Sequence, residues 1–134
     1  MERLKVVVRR LDGKLQKGIT HDFSPAKPAF HLVPPTATPR DAGAEVQLRE
    51  LKAVFFVKSF EGQRLRPKEN AFKDGARPTG RKVRVKFSDG EVLVGSTMGY
   101  DQKRQGFFVF PADEGSNNLK AFVVTSAVQQ VSFI

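Results

Sequence analysis

A chain of 134 residues with 23 Lys and Arg against 14 Asp and Glu, a net charge of +9, makes one domain of ordinary size or two very small ones. With no cysteine it has no disulfide framework, thiol nucleophile or thiolate metal site, as expected of a protein of the reducing cytoplasm. No run approaches the roughly 18 to 20 apolar residues of a membrane span, the opening MERLKVVVRR is too poor in apolar residues for a secretory leader, and the 12 Phe argue against disorder.

Val6 and Val8 alternate with charged or exposed neighbours, the period-2 pattern of a half-buried strand, and Asp12-Gly13 behind them predicts a type I′ hairpin. Strands are expected over 28–33, 44–49 and 53–58. Pro34 ends the first of these because proline has no N–H for the ladder, and 34–43 (PPTATPRDAG) reads as a loop. A connector follows at 58–79, with six basic and three acidic residues. Beyond it Val83, Val85 and Phe87 share one strand face while Lys82, Arg84 and Lys86 share the other. Asp89-Gly90 predicts a second hairpin, and further strands are expected over 105–110, 120–125 and 128–134, with Pro111 ending the first. No segment shows convincing helical periodicity.

The chain repeats itself. Residues 3–57 laid over 80–134, at a constant shift of 77 and without a gap, give 13 identities in 55 positions. Lys5, Val6 and Val8 meet Lys82, Val83 and Val85; Asp12-Gly13 meets Asp89-Gly90; Gly18, Thr20, Phe30 and Pro34 meet Gly95, Thr97, Phe107 and Pro111. Such self-similarity marks one structural unit used twice. A unit of about 55 residues buries too little surface to be secure alone, so the two copies are expected to pack or pair edges as a pseudo-twofold. The domains are then 1–57, a basic connector at 58–79, and 80–134.

The run from Val83 to Asp101 (VRVKFSDGEVLVGSTMGYD) resembles the first signature of the Sm-like (LSm) proteins: an alternating apolar strand, Asp-Gly, a second strand closing in Gly, then an aromatic residue and Asp. Gly95, Tyr100 and Asp101 stand at those distances; in the first copy Gly18 and Phe23 match, and Ser24 replaces the Asp. The resemblance implies an all-β protein of two five-stranded Sm/SH3-like small barrels in tandem, packed as a pseudo-dimer. The chain is also similar to an uncharacterised bacterial family of paired repeats that occurs near signalling domains. Where RNA-binding Sm-like proteins carry an Asn, this chain has Gln105 and Pro28. In place of their Arg-Gly or Lys-Gly step it has Thr125-Ser126-Ala127 and Arg49-Glu50-Leu51. The resemblance therefore implies the fold and does not carry over a base-holding site.

Catalysis finds little footing. His21 and His31 are the only imidazoles, without metal-ligand spacing, nucleophile elbow or phosphate-binding glycine pattern. A non-enzymatic binding module without cofactor is expected. Lys82, Arg84 and Lys86 project from one strand face about 6.5 to 7 Å apart, near the phosphate spacing of an extended nucleic-acid strand. Lys5 and Arg9 take the equivalent places in the first copy, with Val7 between. Lys103 and Arg104 stand in the loop before Phe107, as Lys27 does before Phe30, and Arg64, Arg66 and Lys68 make the connector basic. Such a surface attracts polyanions by counterion release. Phe30, Phe56, Phe107 and Phe133 have core parity, which leaves Tyr100 and Phe108 as candidates to stack bases. Single-stranded RNA or DNA is the leading partner.

Two alternatives stand beside it. Asp22-Phe23-Ser24 resembles half of the signature of PilZ domains, which bind cyclic di-GMP; Arg77 and Arg81 have the spacing of its arginine pair but follow it in sequence, and Lys27 holds the place of its last glycine. Sheet edges could instead recruit peptides or sister subunits, making the protein an adaptor or a homo-oligomer.

Overall fold

Alternation decides the strands of the computed structural model, which describes residues 3–36, 43–61, 71–113 and 115–134. In β1 (Leu4–Arg10) Val6 and Val8 are fully buried and Lys5 is exposed. In β6 (Arg81–Phe87) Val83, Val85 and Phe87 are buried and Arg84 is exposed. The shift of 77 carries into the backbone: β2 (Leu15–Thr20), β3 (Ala29–Leu32) and β5 (Leu51–Val57) start that far before β7 (Val92–Thr97), β8 (Gly106–Pro111) and β10 (Val128–Phe133). Single 3-10 turns at Leu48–Glu50 and Thr125–Ala127 keep the same shift; neither was expected from the sequence. Only the fourth strands start out of step, β9 (Asn118–Val124) beginning earlier in its half than β4 (Ala44–Gln47) does in the first. No helix among the described residues is long and apolar enough to cross a membrane.

The two Asp-Gly hairpins form, but not as type I′ turns. Gly13 and Gly90 have φ of +88° and +92°, and no described residue other than glycine has positive φ. Type I′ needs positive φ at both central positions. Here the Gly13 N–H donates to the Arg10 carbonyl (3.0 Å) and the Gly90 N–H to that of Phe87 (2.9 Å). Each is a four-residue turn closed by a left-handed glycine, so Asp12 and Asp89 keep ordinary backbone and cap the turn through their side chains.

Eight strands form one antiparallel sheet in the order β10-β6-β7-β8-β9-β5-β1-β2, and β3 and β4 form a second; an Ile19–Val33 bridge links β2 to the latter. The halves meet where β5 pairs β9, from Ala53 opposite Val123 to Val57 opposite Asn118. A twofold would map this seam onto a β10·β4 pairing. Among the described residues β10 pairs only with β6 and β4 only with β3, so the expected pseudo-twofold is corrected to a head-to-tail junction. The cause lies in β9. Its residues alternate between two interiors: Phe122 and Val124 enter the core of Val6, Val8, Phe30, Leu51, Val54 and Phe56, while Ala121 and Val123 enter that of Val83, Val85, Phe87, Phe107 and Val109. β4 has Glu45 and Gln47 where β9 has Phe122 and Val124, so it has no second apolar face to bury. Phe133 was expected inside by parity; with nothing paired beyond β10 it is 40% exposed.

Candidate functional site

β6 turns its alternate side chains outward as Lys82, Arg84 and Lys86. In register, Lys82 lies opposite Ser96 of β7, Arg84 opposite Val94 and Ser132, and Lys86 opposite Val92 and Gln130. Only uncharged side chains therefore flank the stripe across the ladder. Arg84 is exposed and Lys86 half-buried, while the Lys82 Nζ lies 5.0 Å from the centre of the Phe72 ring, which the connector brings to the strand. The first-copy counterpart is split: Lys5 is exposed, but Arg9 Nη1 is engaged by Glu91 at 2.9 and 3.2 Å.

The same face continues from β7 to β8. Ser96 lies opposite Phe110, so both project to the side that carries Lys82. Two grooves open there. One, of about 460 Å³, is lined by Phe72, Arg77, Pro78, Ser96, Met98 and Phe110. The other, of about 600 Å³, is lined by Met98, Phe108, Phe110 and Arg104, with Pro25 and Ala26 of the first half closing one wall. Met98 and Phe110 belong to both. Met98 is 66% exposed, so a long apolar side chain stands in water between two hollows, each with an arginine on its lining. Gln105 fixes the wall from the first half, its Nε2 donating to the carbonyls of Pro25 (2.6 Å) and Lys27 (2.8 Å).

The other sequence candidates fall elsewhere. Tyr100 was expected to offer a free ring; it is half-buried and packs edge-on against Phe107 at 4.8 Å, within the second core. The cause is the bend after β7, which returns its aromatic residue to the interior as Phe23 is returned in the first half. Phe108 is half-buried, in contact with Phe23 and Phe122, and shows one side to the larger groove. Lys103 and Arg104 are exposed beside Asp101. Arg81 lays its guanidinium 3.8 Å from the centre of the Phe133 ring. Arg64, Arg66 and Lys68 lie outside the described residues.

Asp22 bonds to the strands on either side of its loop, and Ser24 within the loop. Asp22 accepts from the His31 N–H (2.9 Å), meets its Nδ1 (2.7 Å) and accepts from Thr20 Oγ1, while Ser24 Oγ accepts from the Ala26 N–H. Burial raises the Asp22 carboxyl, but the hydrogen bonds from His31 and Thr20 outweigh it and hold the group below its usual value. Among the described residues no three His, Asp or Glu side chains gather as a metal site.

Sequence reasoning missed Lys52. It sits in the apolar run of β5, only 3% exposed, and donates through Nζ to Asp89 Oδ2 (2.7 Å) and Glu91 Oε2 (2.9 Å) of the second hairpin, 4.6 Å from the centre of the Phe87 ring. With Arg9 it forms a four-charge lock across the junction of the halves. A lysine in the run Leu51–Val57 was the available signal. The Lys52 ammonium, aided by the Glu91 N–H, holds the Asp89 carboxyl below its usual value. A carboxyl lowered by folding stabilises above its unfolded pKa of about 3.9 and ceases to as the pH falls through its lower folded value. Unfolding of the wild type and Asp89→Asn by urea should accordingly differ by a constant amount above about pH 5 and converge progressively as the pH is lowered further.

No curated protein and no solved structure matches the chain. A family model matches residues 2–134, and the family it describes is one of unknown function.

Proposed function

Since the chain belongs to that family, DUF6982, whose description assigns no activity, we propose from its own surface that it is a non-enzymatic module that binds a phosphate-bearing polymer, single-stranded nucleic acid being the favoured class. One observation carries this reading: Lys82, Arg84 and Lys86 share one face of β6 with no acidic side chain opposite them in the ladder, beside an open groove lined by aromatic rings. Cations at strand spacing suit a phosphate backbone, which needs no base-specific geometry. The +9 net charge draws a polyanion toward that face. In the same reading each half is a small Sm/SH3-like barrel. Recurrence of the strand order and of the 3-10 turn before the last strand supports this.

Affinity for oligothymidine should fall steeply with rising salt. Arg84→Glu with Lys86→Glu should weaken binding at low salt by at least about tenfold and flatten the salt slope by about two. Unchanged binding by that variant would remove the stripe from the interface. A complete lack of binding at low salt, with a defined oligomer in solution, would favour the adaptor reading.

A further inference from the structure

We infer that the paired grooves seat two successive unpaired bases of the bound strand, one on each side of the Met98–Phe110 partition. The inference rests on the proposed polyanion site and adds what the stripe alone lacks, a reason to prefer a single strand to a duplex. The register places the parts. Lys82 lies opposite Ser96, Ser96 lies opposite Phe110, and neighbouring strands stand about 4.8 Å apart, so a strand with its phosphates on β6 passes directly beside the grooves. Phe72 joins the two regions, lining the smaller groove while its ring lies under the Lys82 ammonium.

The linings suit bases better than other apolar groups. Each groove offers ring faces or edges with one arginine, Arg77 in one and Arg104 in the other, a pairing that stacks on any base without reading its identity. Met98 is polarisable, unbranched and largely in water, so it can lie against a ring on either side at little cost. In a duplex the bases are stacked on one another and cannot enter the recesses. An apolar peptide would make no use of the arginines or of the β6 stripe.

The test compares oligothymidine, an abasic phosphodiester oligomer of the same length, and a duplex, each titrated against salt. The wild type should bind oligothymidine about tenfold or more tightly than the abasic oligomer, since each stacked base is worth a factor of this order. Met98→Ala, which alters an exposed side chain and leaves the cores intact, should lose most of that ratio while keeping the abasic affinity and the salt slope; Phe110→Leu should do the same with a smaller loss. Arg84→Glu with Lys86→Glu should do the reverse, weakening all three ligands and keeping the ratio. If Met98→Ala and Phe110→Leu leave the ratio unchanged, or if the duplex binds as well as oligothymidine, the grooves hold no bases, and the polyanion site stands without them. If neither the abasic oligomer nor oligothymidine binds at low salt, the proposed function itself fails.

Discussion

Replacing Asp89 by Asn and Glu91 by Gln together is expected to destabilise the fold by about 3 kcal/mol, whereas Lys52→Met should change stability by less than about 1 kcal/mol. The asymmetry follows from where the charges lie. The Lys52 side chain is 4% exposed, while those of Asp89 and Glu91 are 55% and 42% exposed. Removing the carboxylates strands an ammonium under the hairpin. Removing the ammonium leaves two carboxylates that water can solvate, and methionine fills the lysine stem's place against Phe87. Adding Lys52→Met to the double variant should recover most of the loss, a non-additivity expected of groups in direct contact. Urea unfolding at neutral pH measures all four proteins. If Lys52→Met proves as damaging as the double variant, the carboxylates need the ammonium more than it needs them, and the lock has been read backwards.

Gly95→Ala should destabilise by about 2 kcal/mol, through crowding and not through backbone strain. A Cβ at Gly95 would lie 2.2 Å from the Phe110 carbonyl oxygen and 2.7 Å from Val109 Cγ1, so β7 and β8 would have to separate. The repeat counterpart Gly18 would meet Leu32 Cδ1 at 2.6 Å and the Val33 carbonyl at 2.7 Å. Because part of that obstacle is a side chain that can turn, Gly18→Ala should cost less. A Cβ at Gly99 would meet nothing within 4 Å, and Gly99→Ala should stay within about 0.5 kcal/mol. The comparison reads directly on the groove, since the approach of β7 to β8 sets Ser96 beside Phe110. Equal effects at Gly95 and Gly99 would show that close approach does not govern this crossing.

Much of the fold was legible because it depends on parity and on punctuation. The valines of β1 and β6, the Asp-Gly hairpins and the shift of 77 follow from side chains that must alternate and glycines that must turn. The order of strands across the junction was less legible, although a signal existed: Ala121 to Val124 is a continuous apolar run, as expected of a strand buried on both faces. The basic stripe could be read from spacing alone. The grooves could not, because Phe72, Met98 and Phe110 come from the connector, the bend after β7 and β8, and meet only through register. Tyr100 escapes the sequence pattern for a similar reason, its burial being decided by a bend and not by alternation.

The head-to-tail junction acts as a socket and a plug, and the chain uses one of each on itself. At the remaining socket, Lys86 stands where Arg9 stands in the occupied one, and Gln129 where Lys52 does. At the remaining plug, Lys14 takes the place of Glu91. Bringing these free ends together in the same way would set Lys14 against Lys86 and press Glu45 and Gln47 into the place of Phe122 and Val124, where repulsion and unpaired polar groups oppose closure. The free ends thus keep Asp12 in the place of Asp89 but repeat neither the Arg9–Glu91 pair nor the apolar plug that close the seam within the chain.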